Sequence, residues 1–169
     1  MRRHLGPFAL ALAFGWLTFV HQALAVYPPP VKDEGKFFGA EALKKANAKI
    51  RDIYKKYKKD VVIETIDALS VDDQKKAKEE GNKKFFPKYA LKRIDDLGVN
   101  GIYIIISKEP RWAQFEMDPM TRKGVFPNAE RDKAYTKLIE RFKEKEFDEG
   151  LADALDAIDA SLKAKTKSK

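Results

Sequence analysis

The sequence contains no cysteine. Disulfides, thiol nucleophiles and Cys-ligated zinc are therefore excluded, and stability has to come from the core. Histidine is almost as scarce: only His4 and His21 occur, and the chain beyond Ala25 has none. That lack excludes Ser-His-Asp and Cys-His catalysis, histidine-phosphatase chemistry and the common zinc hydrolase sites from the rest of the chain. Any metal would have to sit among oxygen ligands, which favours calcium or magnesium. No apolar run near the C-terminus could serve as an anchor. No nucleic-acid recognition motif is present either, so no nucleic-acid partner is expected.

The longest apolar stretch lies at the start. Met1-Arg2-Arg3-His4 carries positive charge, Leu5 to Val20 is apolar, and Ala23-Leu24-Ala25 closes the segment with small residues. This is the layout of a secretory signal peptide cleaved after Ala25. The apolar run falls short of the ~20 residues that a spanning helix needs, so removal is expected rather than permanent anchoring. An exported protein follows: periplasmic, lumenal or secreted. Two of the 34 basic residues and none of the 26 acidic ones lie in the leader, so its removal lowers the net charge from +8 to +6. Most lysines alternate with acids on helical faces, the pattern of a solvated surface. A basic face could also dock on an anionic membrane surface or an acidic partner.

From Val26 onward the length suits one domain. Tyr27-Pro28-Pro29-Pro30 is a stiff extended leader. Leu43, Ala46, Ile50, Ile53, Tyr54 and Tyr57 recur at helical spacing and predict a helix from Ala40 to Lys58. Val61 to Ile66 reads as a buried strand. Ser70 is an N-cap for a lysine-rich helix, which Gly81-Asn82 and Pro87 break or kink before Leu97. Ile102 to Ile106 is the most strand-like segment. A hairpin connection at Ser107 to Pro110 leads to a strand near the sheet edge, Arg111 to Met117.

Pro119 to Pro127 reads as an irregular connection. Two adjacent helices follow, striped by Ala134, Leu138, Ile139 and Phe142 and by Leu151, Leu155, Ile158 and Leu162. Residues 163–169 read as a disordered basic tail. The order predicts an α/β domain over 26–162, one small mixed sheet with a parallel core and an antiparallel hairpin strand, flanked by helices on both faces. The crossover between the two buried strands should be right-handed.

Val31-Lys32-Asp33 before an amphipathic helix, the strand Asp60 to Ile66, the block Gly98 to Glu116 and Lys145-Glu146-Phe147-Asp148-Glu149-Gly150-Leu151 together resemble the TPM domain. This family includes a thylakoid-lumen acid phosphatase and a photosystem II repair protein. The resemblance spans Val31 to Leu162. It implies an exported or lumenal, often membrane-held protein, with phosphatase activity and a divalent ion at an acidic cleft in some members.

Residue by residue, the resemblance singles out Asp33, Asn100, Arg111 and Glu116 as candidate ligand-binding positions. Asp33 matches the family's early acid, Asn100 and Gly101 the end of its Asp-Asn-Gly turn, and Arg111 and Glu116 its Arg…Glu strand. Val99 stands where the family usually has Asp, and Met117-Asp118-Pro119-Met120 replaces its Gly-x-Gly. The membrane helix and glycine-rich tail of many members are not seen in this sequence.

Asp33 is also a candidate metal ligand, with an N-terminal loop acid or a helix-capping acid as the alternative. Asp67, like Glu64, flanks a strand end where α/β sheets place ligands, which makes it the second metal candidate. Arg111 could hold a phosphate or carboxylate bidentately or pair with Glu116. Asn100 suits a turn through its tolerance of left-handed backbone geometry. Trp112 reads as a packing or contact residue.

Two functions compete. One is a non-catalytic accessory or interaction module of the cell envelope, with an envelope or membrane-associated protein partner or an anionic membrane surface. The alternative is a calcium- or magnesium-dependent acid phosphatase, in which a metal-activated water attacks and Arg111 steadies the phosphate charge.

Overall fold

A computed structural model describes residues 28–166. The expected signal peptide, its cleavage point at Ala25 and the last three residues lie outside them. Among the described residues the elements run β1 (Lys32–Asp33), α1 (Ala40–Tyr57), β2 (Asp60–Ala68), α2 (Val71–Glu80), α3 (Asn82–Leu97), β3 (Gly101–Glu109), β4 (Trp112–Met117), α4 (Pro119–Lys123), α5 (Asn128–Lys143) and α6 (Phe147–Thr166).

The strands form a single four-stranded sheet in the order β1-β2-β3-β4. β1, β2 and β3 are parallel, and β4 returns antiparallel along β3. Strand alternation divides the side chains between two cores. Val61, Ile63, Ile102, Ile104, Ile106, Phe115 and Met117 pack with α1, α5 and α6 on one face. Val62, Tyr103 and Ile105 pack with α2 and α3 on the other. With both faces covered, the central strands carry near-continuous apolar runs, as buried parallel strands do.

The expected mixed sheet between two helical layers is what forms. Stepping from β1 to β2 to β3 moves one way across the sheet, while α1 covers one face and α2–α3 the other. The two crossovers therefore have opposite hands, an exception to the usual uniformity of parallel connections.

Local sequence explains most boundaries. Ser70 caps α2 by accepting the Asp73 N–H at 3.2 Å. Gly81 separates α2 from α3 with φ of +81°, a conformation that costs other residues strain. Pro87 lies inside α3 without ending it. The connection expected to be irregular holds a short helix, α4, because Asp118 Oδ1 accepts the N–H groups of Met120 at 2.8 Å and Thr121 at 3.1 Å. α6 continues to Thr166, so the first residues of the expected tail, Lys163 to Thr166, are helical.

Candidate functional site

Several candidate residues gather where the parallel strands end at their carboxyl side. Asp33 closes β1, and its carboxylate organises the loop that follows. Oδ1 accepts the Phe37 N–H at 3.0 Å and the Thr65 hydroxyl at 2.5 Å, and Oδ2 accepts the Phe38 N–H at 3.0 Å. Thr65 Oγ1 in turn accepts the Gly35 N–H at 2.9 Å. Asp33 thus ties down the loop that leads into α1 and does not cap the helix itself, whose N-cap is Gly39. Asp67, two residues beyond Thr65, is exposed and paired with Lys108 at 2.7 Å. Its carboxyl pKa is lowered, chiefly by the hydrogen bond from Lys108 and then by that charge.

The Phe37 loop, the end of β3, the start of β4 and the α5–α6 junction enclose a groove of about 900 Å³. Phe37 stacks on Phe142 at 5.9 Å between centroids, and both rings meet Phe147 edge-on, at 5.6 and 4.9 Å. These rings, half-buried, give the groove an apolar floor together with Ile106, Tyr135 and Ile139. Lys36, Lys108, Arg111, Lys143 and Lys145 line it against a single acid, Glu109. Lys108 lies over the Phe37 ring at 5.6 Å, a cation–π contact. The side chains of Arg111, Lys143 and Lys145 make no hydrogen bond or ion pair among the described residues. The groove thus sets basic side chains beside an apolar floor.

The remaining candidates lie elsewhere. Asn100 sits at the opposite end of the sheet, just before β3. Its N–H donates to Asp60 Oδ2 at 2.7 Å, and its Oδ1 accepts from Lys59 at 2.6 Å. Asn100 does not adopt the left-handed geometry expected of it; in this turn Gly98 does, with φ of +63°. Gly101 is required by proximity: a Cβ there would lie 2.1 Å from the Asp60 carbonyl oxygen.

Glu116 is buried at the far end of β4, where it accepts from Arg122 at 2.6 Å and from Gln114 at 3.0 Å. Its partner is therefore Arg122, and Arg111 lies at the other end of the strand. Burial raises the Glu116 carboxyl pKa, against the opposing charges of Arg122 and Arg131.

Asp33, Asp67 and Arg111 thus share one end of the sheet, and Asn100 and Glu116 the other. No cluster of three or more His, Cys, Asp or Glu side chains able to hold a metal ion occurs among the described residues.

Glu64 lies inside β2 and points into the α3 layer. Arg93 donates to both its oxygens, at 3.0 and 2.6 Å, and the Tyr103 hydroxyl donates to Oε2 at 2.5 Å. Burial pushes the Glu64 pKa up, but the bonds from Arg93 and Tyr103 outweigh it and the net direction is down. Burial and Glu64 together push the Tyr103 hydroxyl well above its usual range. Trp112, on this same face, stacks on Phe86 at 5.6 Å as a packing residue.

The groove itself was not anticipated from the sequence. Phe142 reads as helix stripe, Phe37 as a lead-in to α1, and the lysines as solvated surface. The available signal was Phe beside Lys at Lys36-Phe37 and Phe142-Lys143, with Phe147 two residues beyond Lys145, which only folding brings together.

Comparison with known proteins adds a family and a fold. The family model described as TPM domain matches residues 31–161. A solution structure of an N-terminal domain from P. gingivalis is similar at 18% identity and a TM-score of 0.56, covering 79% of this chain and 82% of that one. The BA42 protein of Bizionia argentinensis is similar at 18% identity and a TM-score of 0.59, over 76% of this chain and 83% of that one. An N-terminal domain from Corynebacterium glutamicum is similar at 13% identity and a TM-score of 0.59, over 83% and 84%. At these identities the likeness concerns the fold alone. The search of curated proteins gives no match.

Proposed function

Taking as premise that this chain belongs to the TPM-domain family, we propose that it acts after export as a non-catalytic accessory module of the cell envelope, holding a partner in the groove at the carboxyl end of its sheet. One observation carries this reading: a concave aromatic floor rimmed by Arg111, Lys143 and Lys145, whose side chains form no ion pair among the described residues. An apolar floor supplies binding free energy, and unpaired cations at its edge steer and orient an anionic partner. The leader Met1 to Ala25 supports export. The absence of histidine and cysteine beyond it leaves few reactive groups for catalysis.

A photo-crosslinking residue placed at Arg111 or Lys143 should trap a partner in intact cells. The same residue at Lys75, on exposed α2, should not. Equal adducts from all three positions, or none from the groove, would defeat the proposal.

The second reading is a divalent-cation-dependent acid phosphatase, favoured by the shared placement of Asp33, Asp67 and Arg111 at one sheet end. Asp67 and Asp33 would supply carboxylate oxygens to calcium or magnesium, and Arg111 would face the phosphate. Hydrolysis of p-nitrophenyl phosphate at acidic pH, abolished by chelator and by Asp67→Asn, is the expected result. Inactivity across pH with either metal added rejects this reading.

A further inference from the structure

The groove occupies the carboxyl end of the sheet; the amino end is basic. α1 and α6 run side by side in the same direction. The Gly39 N–H donates to Asp148 at 2.9 Å at their starts, Lys49 bridges to Asp156 and Asp159 at 2.8 Å, and the Tyr57 hydroxyl donates to Asp159 at 2.9 Å farther along. α1 finishes just before β2, so both helices close at the amino end of the parallel strands. Their last turns and the residues just beyond α1 carry Lys55, Lys56, Lys58, Lys59, Lys163 and Lys165.

Lys59 donates to the neutral Asn100 side chain at 2.6 Å, and none of the six forms an ion pair among the described residues. Nearby acids are mostly engaged elsewhere: Asp159 with Lys49 and Tyr57, and Asp96 with Lys92 at 2.6 Å, while Asp60 is buried. Asp52 and Asp95 are the exposed acids closest to this end.

Apolar side chains stand at the same end. α3 closes at Leu97 just before β3, and α4 opens just past β4, whose Met117 pairs with Ile102 at the start of β3. Leu97 is 46% exposed and Met120 75% exposed. Exposed apolar tips on the same face as unpaired lysines are what a membrane-surface segment presents, the cations to headgroups and the tips to the acyl boundary.

The route of the chain favours the same surface. β1 is parallel to β2, so the chain enters the sheet from the amino end. Residues 21–27 alone separate Val20, the last of the apolar leader run, from Pro28, a reach of under about 30 Å. Until the expected cut after Ala25, that tether keeps this end close to the export membrane.

We infer that the amino end of the sheet docks on an anionic lipid bilayer, with Lys55, Lys56, Lys58, Lys163 and Lys165 against headgroup phosphates and Leu97 and Met120 dipping in. The groove then faces away from the membrane. This docking uses none of the groove's residues and stands or falls apart from it. Near an anionic surface each lysine strengthens partition about fivefold, and the effect fades within a Debye length.

The chain from Val26 onward holds both cores entire and is the form to test. Vesicles of equal parts phosphatidylglycerol and phosphatidylcholine should retain it in sedimentation, and pure phosphatidylcholine should not. Lys55→Glu/Lys163→Glu should weaken retention by about 25-fold or more. Arg111→Glu/Lys143→Glu, the same charge change at the groove end, should leave it within about threefold. Because the chain lacks cysteine, Met120→Cys and Val71→Cys each accept a single environment-sensitive dye. On anionic vesicles the Met120 dye should shift to the blue, and the Val71 dye, beyond the carboxyl end of β2, should not.

Equal retention on both lipids, or equal loss from both double variants, overturns docking through this end. A blue shift at Val71 in place of Met120 overturns it too. Binding to soluble poly-glutamate without retention by vesicles gives the lysines to an acidic protein and rejects the bilayer.

Discussion

Asp33 holds Phe37: its Oδ1 accepts the Phe37 backbone N–H at 3.0 Å and so sets the ring against Phe142 and Phe147. An acid matched to a family position on sequence grounds thus shapes the groove floor through the backbone.

Replacing Asp33 with Ala should therefore cost about 1–3 kcal/mol, since two loop N–H groups and the Thr65 hydroxyl lose their acceptor. Asp33→Asn keeps one oxygen and should cost less. Urea denaturation of the three chains gives the order wild type, Asn, Ala. Equal stabilities would contradict the loop-tying role.

Gly101→Ala should destabilise severely, by more than about 3 kcal/mol or to the point of insolubility, because its methyl would meet the Asp60 carbonyl at 2.1 Å. Gly81→Ala is the control. Nothing lies within 4 Å of its Cβ, so only the strain of its backbone, at φ +81° and ψ +143°, remains, about 1–3 kcal/mol. Melting temperatures of the two variants compare crowding with strain directly.

Arg93→Met leaves Glu64 charged, buried and short of its bidentate donor, and should cost about 3 kcal/mol. Tyr103→Phe removes one hydrogen bond to that carboxylate and should cost about 1–2 kcal/mol. Chemical denaturation at neutral pH separates the two magnitudes.

The same network has a defined pH dependence. The native Glu64 pKa is depressed, so its stabilisation is complete above the ordinary glutamate value of about 4.3 and is lost as pH falls through the native value. The stability gap between wild type and Glu64→Gln should be largest near neutrality and narrow as pH falls below the ordinary glutamate value toward the depressed native one. A gap that widened on acidification would reverse the sign of the proposed interaction.

The double variant Arg111→Glu/Lys143→Glu should leave stability within about 0.5 kcal/mol, because both side chains are exposed and unpartnered. Groove crosslinking from a probe at Lys145 should nevertheless disappear. A variant that melts early would instead give these cations a structural role.

Local chemistry made the main elements legible. Apolar residues at helical spacing marked α1, α5 and α6, β-branched runs marked β2 and β3, and Ser70 marked the start of α2. β1 escaped because two residues carry no period; Lys32 and Asp33 are strand only through pairing with Glu64 and Thr65. α4 escaped because a single turn, nucleated by Asp118, leaves no stripe.

The candidate site was legible only in pieces, because sequence neighbours of matched motifs need not share an end of the sheet. Arg111 and Glu116 occupy one short strand, yet β4 carries them to opposite ends, and an antiparallel partner sends Asn100 to the Glu116 end.

The sequence by itself determined that cysteine chemistry is excluded, that histidine stops at residue 21, and, through its apolar strand runs and striped helices, that helices cover both faces of a sheet. Only the tertiary structure decided that Phe37, Arg111, Phe142 and Lys145 meet. Periodicity reports which face of an element is apolar, whereas a groove depends on where separate elements end against one another, and that is set by packing across the whole sheet.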